Sequence, residues 1–179
     1  MATALLPKAG NTIMEYCALS LGTPFFHVYQ FITYMFLHVN FEHIFFNMFA
    51  LWMFGRTLEY ELGQKRFLTY YMVCGIGAAL IQYLTALAFG EFPLVLVGAS
   101  GAVMGLLLAF GVLHPNAVIM LLIPPIPMKA KWFVVIYGVI ELFLGWRGVG
   151  NVAHFAHVGG MLWGFLLLQW WKQRGIIRF

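Results

Sequence analysis

Residues 67–89 of this 179-residue chain form one long apolar run without a charged side chain. At about 1.5 Å of rise per residue, a helix of that length crosses a hydrocarbon core of about 30 Å. A helix that is hydrophobic on every side belongs in the centre of a large protein or against lipid. Composition decides for lipid: 63% of the residues are hydrophobic and 9% charged, against about 25% charged in soluble domains. The net charge of +4 does not point to nucleic acid, because the basic residues sit in small groups at the ends of apolar runs, where membrane proteins place them. Cys17 and Cys74 have neither metal-type spacing nor the makings of a disulfide framework, so both read as packing residues. The opening residues 1–11 hold one lysine and no compact apolar core before a small-residue cleavage site, so no secretory leader is expected. No internal repeat is evident.

Further apolar runs cover 44–58, 132–146 and 152–171, and a semi-polar, aromatic-rich stretch at 24–41 suits the membrane interface. The run 92–113 is interrupted by Gly98, Ser100, Gly101 and Gly105. We therefore expect 92–99 to be non-helical and the helix to run from Ser100 to Leu113. Fourteen residues cover only about 21 Å, so that helix starts below the membrane surface. Irregular backbone at such depth requires surrounding protein or a water-filled cavity. Pro124, Pro125 and Pro127 break the chain at 123–128, and the glycine-rich linker 145–151 is expected to act as a mobile cap. The fold class is thus all-α, a polytopic membrane helix bundle of about five spans. Eight of the ten basic residues fall in three segments: Arg56, Lys65 and Arg66; Lys129 and Lys131; Lys172, Arg174 and Arg178. The positive-inside rule makes these cytoplasmic, which puts the carboxyl terminus inside and Ser100 toward the outer leaflet.

Strongly polar side chains inside spans are costly and mark function. His43 and Asn47, within the segment His38-Val-Asn-Phe-Glu-His43-Ile-Phe-Phe-Asn47, are four apart and share one helical face. Gly98-Ala-Ser100-Gly101 opens the short helix. Ala153-His154-Phe-Ala156-His157-Val-Gly159-Gly160 lies early in the last span, with Gly164 nearly in line with His157. All these lie near the outer side. A serine hydroxyl is a weak nucleophile until a base takes its proton, and histidine is the usual base, so Ser100 and His157 are a candidate pair. Gly101, Gly105 and Ala109 on one helix, and Gly160 and Gly164 on the other, repeat every four residues as in tight helix contacts in lipid. Acyl transfer needs preorganised donors for the oxyanion, which His43, Asn47 and the Ser100 amide can supply. The chain has no Asp, which excludes a Ser-His-Asp triad and leaves a dyad. Taken singly, each feature has a bland reading: Gly-x-Ser-Gly as helix packing, His157 as a structural hydrogen-bonder, His43 and Asn47 as partners of neighbouring backbone, and His38 and His154 as local support.

The three segments, in this order, resemble the rhomboid family of intramembrane serine proteases from about Tyr29 onward. The resemblance implies Ser100 as nucleophile, His157 as base, and His43, Asn47 and the Ser100 amide as oxyanion stabilisers, with Gly98, Gly101, His38, His154 and Met104 in support. It implies membrane lipid and a single-pass transmembrane protein substrate, cut near the outer face, as partners, with no metal, cofactor or nucleic acid. A bacterial inner membrane is the expected location. Residues 1–28 then read as a leader or a replaced first-helix region, and 29–179 as the rhomboid-like membrane domain. The family core has six spans, yet upstream of Tyr29 there is no run of about 20 apolar residues. The Trp-Arg pair common in the family's first loop reads Tyr29-Gln30, and Met104 stands where a tyrosine often stacks on the catalytic histidine. Two other readings compete: a haem or metal carrier using His38, His43, His154 and His157 as ligands, and a non-catalytic rhomboid-like protein that binds membrane segments.

Overall fold

The computed structural model describes residues 7–120, 125–148 and 153–178. Its amino-terminal region is made of short elements: helix α1 (Pro7–Cys17), strand β1 (Leu19–Leu21) and helix α2 (Gln30–Thr33), which tightens into a 3-10 turn at Tyr34–Phe36. Gln30 ties these together. Its side chain is fully buried. Its Oε1 accepts from the amides of Ser20 (3.1 Å) and His27 (3.2 Å), and its Nε2 donates to the carbonyls of Phe25 (2.8 Å) and Tyr16 (3.1 Å). A neutral amide thus braces the loop at the position where the family resemblance leads one to look for an arginine. Removing a buried amide leaves backbone groups unsatisfied at about 1–3 kcal/mol each. Gln30→Leu should therefore lower stability by roughly 3 kcal/mol, read as an earlier thermal unfolding transition in detergent.

Asn40 starts the first long helical segment. Its Oδ1 accepts from the His43 amide at 2.7 Å, and Glu42 sits in the first turn, both favourable at the positive end of a helix. Helix α3 (Phe41–Ala50) passes through a π-helical turn (Leu51–Gly55) into α4 (Arg56–Leu62). The apolar run 44–58 is therefore the middle of one continuous rod, which stops at Gly63 with φ 78°. Helix α5 (Gln64–Phe89) follows at once and ends at Gly90 in the left-handed region. Strand β2 (Leu94–Leu96) pairs antiparallel with β1, Leu19 opposite Leu96, and fixes the non-helical approach to α6 (Ser100–Leu113). Of the expected Pro-rich break at 123–128, Pro127 and Met128 belong to strand β4 (Pro127–Lys129), which pairs with β3 (Val118–Met120), while residues 123 and 124 lie outside the described residues. Pro127 is the first residue of its strand, a position where a missing N–H is tolerated. Helix α7 (Ala130–Arg147) absorbs Gly145, and Gly148 caps it at φ 61°. Positions 149–151, the remainder of the expected mobile cap, lie outside the described residues. Helix α8 (His154–Gln173) completes the chain.

Helices α5, α6 and α8 pack on one another, with α7 against α6 and α8. The contact between α6 and α8 is backbone against backbone: a Cβ added to Gly160 would overlap the carbonyl oxygen of Gly101. Gly105 faces Cys74, and Gly164 faces the Tyr70 hydroxyl and Cys74, so the four-residue glycine spacing seats both helices on α5. Away from this centre, Leu68, Leu84, Leu87, Val139, Phe143 and Leu166 are exposed, an apolar outer surface suited to lipid. Among the described residues α5 alone is long and apolar enough to cross a membrane by itself, and α6 is a shorter apolar helix. Glu61 and His114 meet at 3.0 Å, which puts the ends of α4 and α6 on one side, opposite Ser100.

Candidate active site

Ser100 is the first residue of α6, and the chain before it is held open by glycine. Gly98 has φ 121°, a conformation that side chains disfavour, and its N–H donates to the Tyr34 carbonyl at 2.9 Å. A Cβ there would lie 2.7 Å from His43 Cε1 and Nε2 and 3.8 Å from Ser100 Oγ. The His43 ring and the Ser100 hydroxyl therefore border the same glycine. On the other side, α8 is anchored by Gln82 of α5, whose Oε1 accepts the Ala156 amide at 3.0 Å. This anchor sits one residue before His157, and His157 Nε2 lies 2.8 Å from Ser100 Oγ. The two residues are 57 positions apart and meet only through the packing of α6 on α8. Ser100 is half-buried, and His157 is 8% exposed.

A carboxylate completes the cluster. Glu141, on α7 and 4% exposed, has Oε2 2.7 Å from His154 Nδ1 and 3.0 Å from His157 Nδ1. The first contact has hydrogen-bond geometry. The second is a close contact in which the ring nitrogen is not aimed along a hydrogen-bond line. Of the two tautomers of the ring, the one with its proton on Nδ1 would set that N–H beside the carboxylate and turn the Nε2 lone pair toward Ser100.

The other residues singled out in the sequence fall around this centre. Asn47 is buried on α3, and its Nδ2 donates to the His43 carbonyl at 2.9 Å, one turn from the ring that borders Gly98. His38 lies edge-on to His43 with ring centroids 4.9 Å apart; burial first, and then the neighbouring His43, push its imidazole below the ordinary histidine range. Gly101 packs on Ala78, and Met104 is half-buried against the core. The four histidines do not converge as one ligand set. The residues whose donor atoms come within 4.8 Å of one another are Glu141, His154 and His157, and there the carboxylate already touches both rings directly. An open apolar groove of about 260 Å³ is lined by Ile44, Phe45, Met48, Phe49 and Trp52, none of them a residue of this cluster.

A family model described as Rhomboid domain matches residues 26–172. The chain belongs to the rhomboid family. Over 146 residues it is 34% identical to the protein named Rhomboid protein 1, mitochondrial, of Saccharomyces cerevisiae, which covers 79% of this chain and 41% of that protein. It is 32% identical over 154 residues to Presenilin-associated rhomboid-like protein A, mitochondrial, of Danio rerio, covering 80% of this chain and 39% of the relative. The human Presenilin-associated rhomboid-like protein, mitochondrial, is 28% identical over 148 residues, covering 78% and 38%. The chain thus spans about two fifths of the length of these relatives. Their names place them in mitochondria rather than in the bacterial membrane anticipated from the sequence. As a rhomboid it is an integral membrane protein with an all-α bundle.

Glu141, Gln82 and Tyr34 escaped sequence reasoning. For Glu141 a signal existed: it is the one acidic residue in the apolar run 132–146, and ionisable groups in spans mark function. Gln82 accepts from the Ala156 amide, and the Tyr34 hydroxyl donates to the Gly75 carbonyl at 2.7 Å; no local spacing announces bonds to such distant backbone.

Proposed function

We propose that this rhomboid is an intramembrane serine endopeptidase acting on single-pass transmembrane proteins. The observation that carries the reading is the 2.8 Å contact between His157 Nε2 and Ser100 Oγ, at a half-buried serine opening a helix. Ser100 Oγ attacks the scissile carbonyl as its proton passes to His157 Nε2. The tetrahedral oxyanion takes hydrogen bonds from the Ser100 amide, His43 and Asn47. The C–N bond then breaks and His157 returns the proton to the departing amine, leaving an acyl ester on Ser100. Water, deprotonated by the same ring, hydrolyses that ester and restores the hydroxyl.

Membrane lipid is the solvent and a membrane-embedded segment the substrate. The distribution of the three basic segments supports a carboxyl terminus on the basic-loop side of the membrane, with the Ser100 pocket toward the opposite face. Cleavage of a purified single-pass substrate in detergent, compared between this chain and Ser100→Ala, tests folding and chemistry together; equal cleavage by both would end the proposal. Asn47→Ala retains the attacking pair and loses one oxyanion donor. Its kcat is expected to fall about 10²–10³-fold, measured on the same substrate.

A further inference from the structure

We propose that Glu141 is a positioning residue for the reaction, turning the Ser100–His157 pair into a Ser-His-Glu triad anchored by His154. The inference rests on the protease reading above. Nothing in the spacing of the motifs foretells it: Glu141 comes from α7, Ser100 from α6 and His157 from α8.

Four polar groups form an unbroken line across three helices. Ser100 Oγ is 2.8 Å from His157 Nε2, His157 Nδ1 is 3.0 Å from Glu141 Oε2, and that oxygen is 2.7 Å from His154 Nδ1. Glu141, His154 and His157 are all buried. Deep in a helix bundle a carboxylate is costly unless it is paired, and here it faces two imidazole rings. Its place in the line gives it two tasks. In the resting site it holds the His157 proton on Nδ1, so that Nε2 is free to accept from Ser100. When Ser100 Oγ attacks and Nε2 gains the proton, the carboxylate faces the new imidazolium charge directly and offsets it, remaining ionised itself. His154, by donating from its own Nδ1, keeps Oε2 from swinging away. The off-line N–H of His157 suits a resting site, since catalytic hydrogen bonds often tighten only when substrate is bound.

The shape of Gln is close to that of Glu, but it carries no charge and can offer an N–H where His157 needs an acceptor. On a transmembrane substrate in detergent, Glu141→Gln should lower kcat roughly 10²–10⁴-fold with KM unchanged, and should slow fluorophosphonate labelling of Ser100 in the same proportion. His154→Gln, which removes the anchor and leaves Glu141 and His157 in place, should lose less. Wild-type kcat and labelling rate in folded Glu141→Gln would overturn the inference while leaving the protease reading intact, provided Ser100→Ala is inactive in the same assay. Full activity of Ser100→Ala would instead remove the protease reading and the triad together.

A second measurement decides the case should Glu141→Gln fail to fold. Protein carrying ¹⁵N-histidine should show His157 with its proton on Nδ1 and a bare Nε2, read from the two ring ¹⁵N shifts, in wild type and in Ser100→Ala alike, with the signals absent from His157→Ala. A wild-type spectrum in which the His157 proton resides on Nε2 contradicts the triad.

Discussion

Ser100→Ala and His157→Ala are each expected to bring cleavage of a transmembrane substrate down by about 10⁶-fold, to background. The size of the effect follows from the roles proposed for the two residues. Without the imidazole, the Ser100 hydroxyl keeps its proton and stays a poor nucleophile; without the hydroxyl, the imidazole has nothing to activate. A loss of about 10⁶ corresponds to about 8 kcal/mol of transition-state stabilisation. If the pair acts as one unit, as proposed, the double variant should be no worse than either single variant. Initial rates at matched concentrations of folded protein check this, and a multiplicative loss in the double variant would mean that the two residues act separately. The folded state should be nearly unaffected, since Ser100 is half-buried at a helix start and its loss opens no large cavity.

Gly160→Ala is expected to have the largest effect on the fold of any single added methyl group. The new Cβ would occupy the space of the Gly101 carbonyl oxygen, and that neighbour is backbone, which cannot turn aside as a side chain can. Helices α6 and α8 would have to move apart, at a cost of about 3 kcal/mol, and the glycine packing that seats both on α5 would open with them. Activity should vanish as well. Ser100 and His157 belong to the two helices being separated, and a displacement of about 1 Å already costs about 10²-fold in rate. Gly138→Ala is the control, because its Cβ would meet only the end of the Met161 side chain, 3.2 Å from Cε. Thermal unfolding in detergent should show a marked loss for the first variant and little change for the second. Equal transitions would mean that the helices tolerate separation, and that the close approach at Gly101 is not what aligns the site.

The parts of this molecule that were legible in advance are those written in local pattern. The apolar run 67–89 is a helix because nothing in it interrupts the run, and Ser100 opens α6 because Gly98 and Gly101 flank it. His43 and Asn47 share a helical face because they are four residues apart. What escaped depends on contacts between distant residues. Strand β1 is only three residues long, too short for an alternating pattern, and it exists because β2, some 75 positions later, supplies its partner. Gln30 reads as a lost charge until its hydrogen bonds to the surrounding loop are seen. Excluding Asp suggested a dyad, but the same reasoning passed over Glu141, whose nearness to His157 is created by α7 lying against α8. The ends of spans shifted for a similar reason, since α3 and α4 fuse through a π-helical turn that hydropathy does not register.

The proposed activity depends on the Ser100 hydroxyl being made nucleophilic by the His157 imidazole. Treatment of the purified protein in detergent with a fluorophosphonate, followed by peptide mapping, reads this directly. A single adduct on Ser100, lost when His157 is replaced by alanine in protein that remains folded, is the result predicted here. An unmodified Ser100 in the wild-type protein, or labelling that persists undiminished without His157, would contradict it and leave a rhomboid fold that holds membrane segments without cutting them.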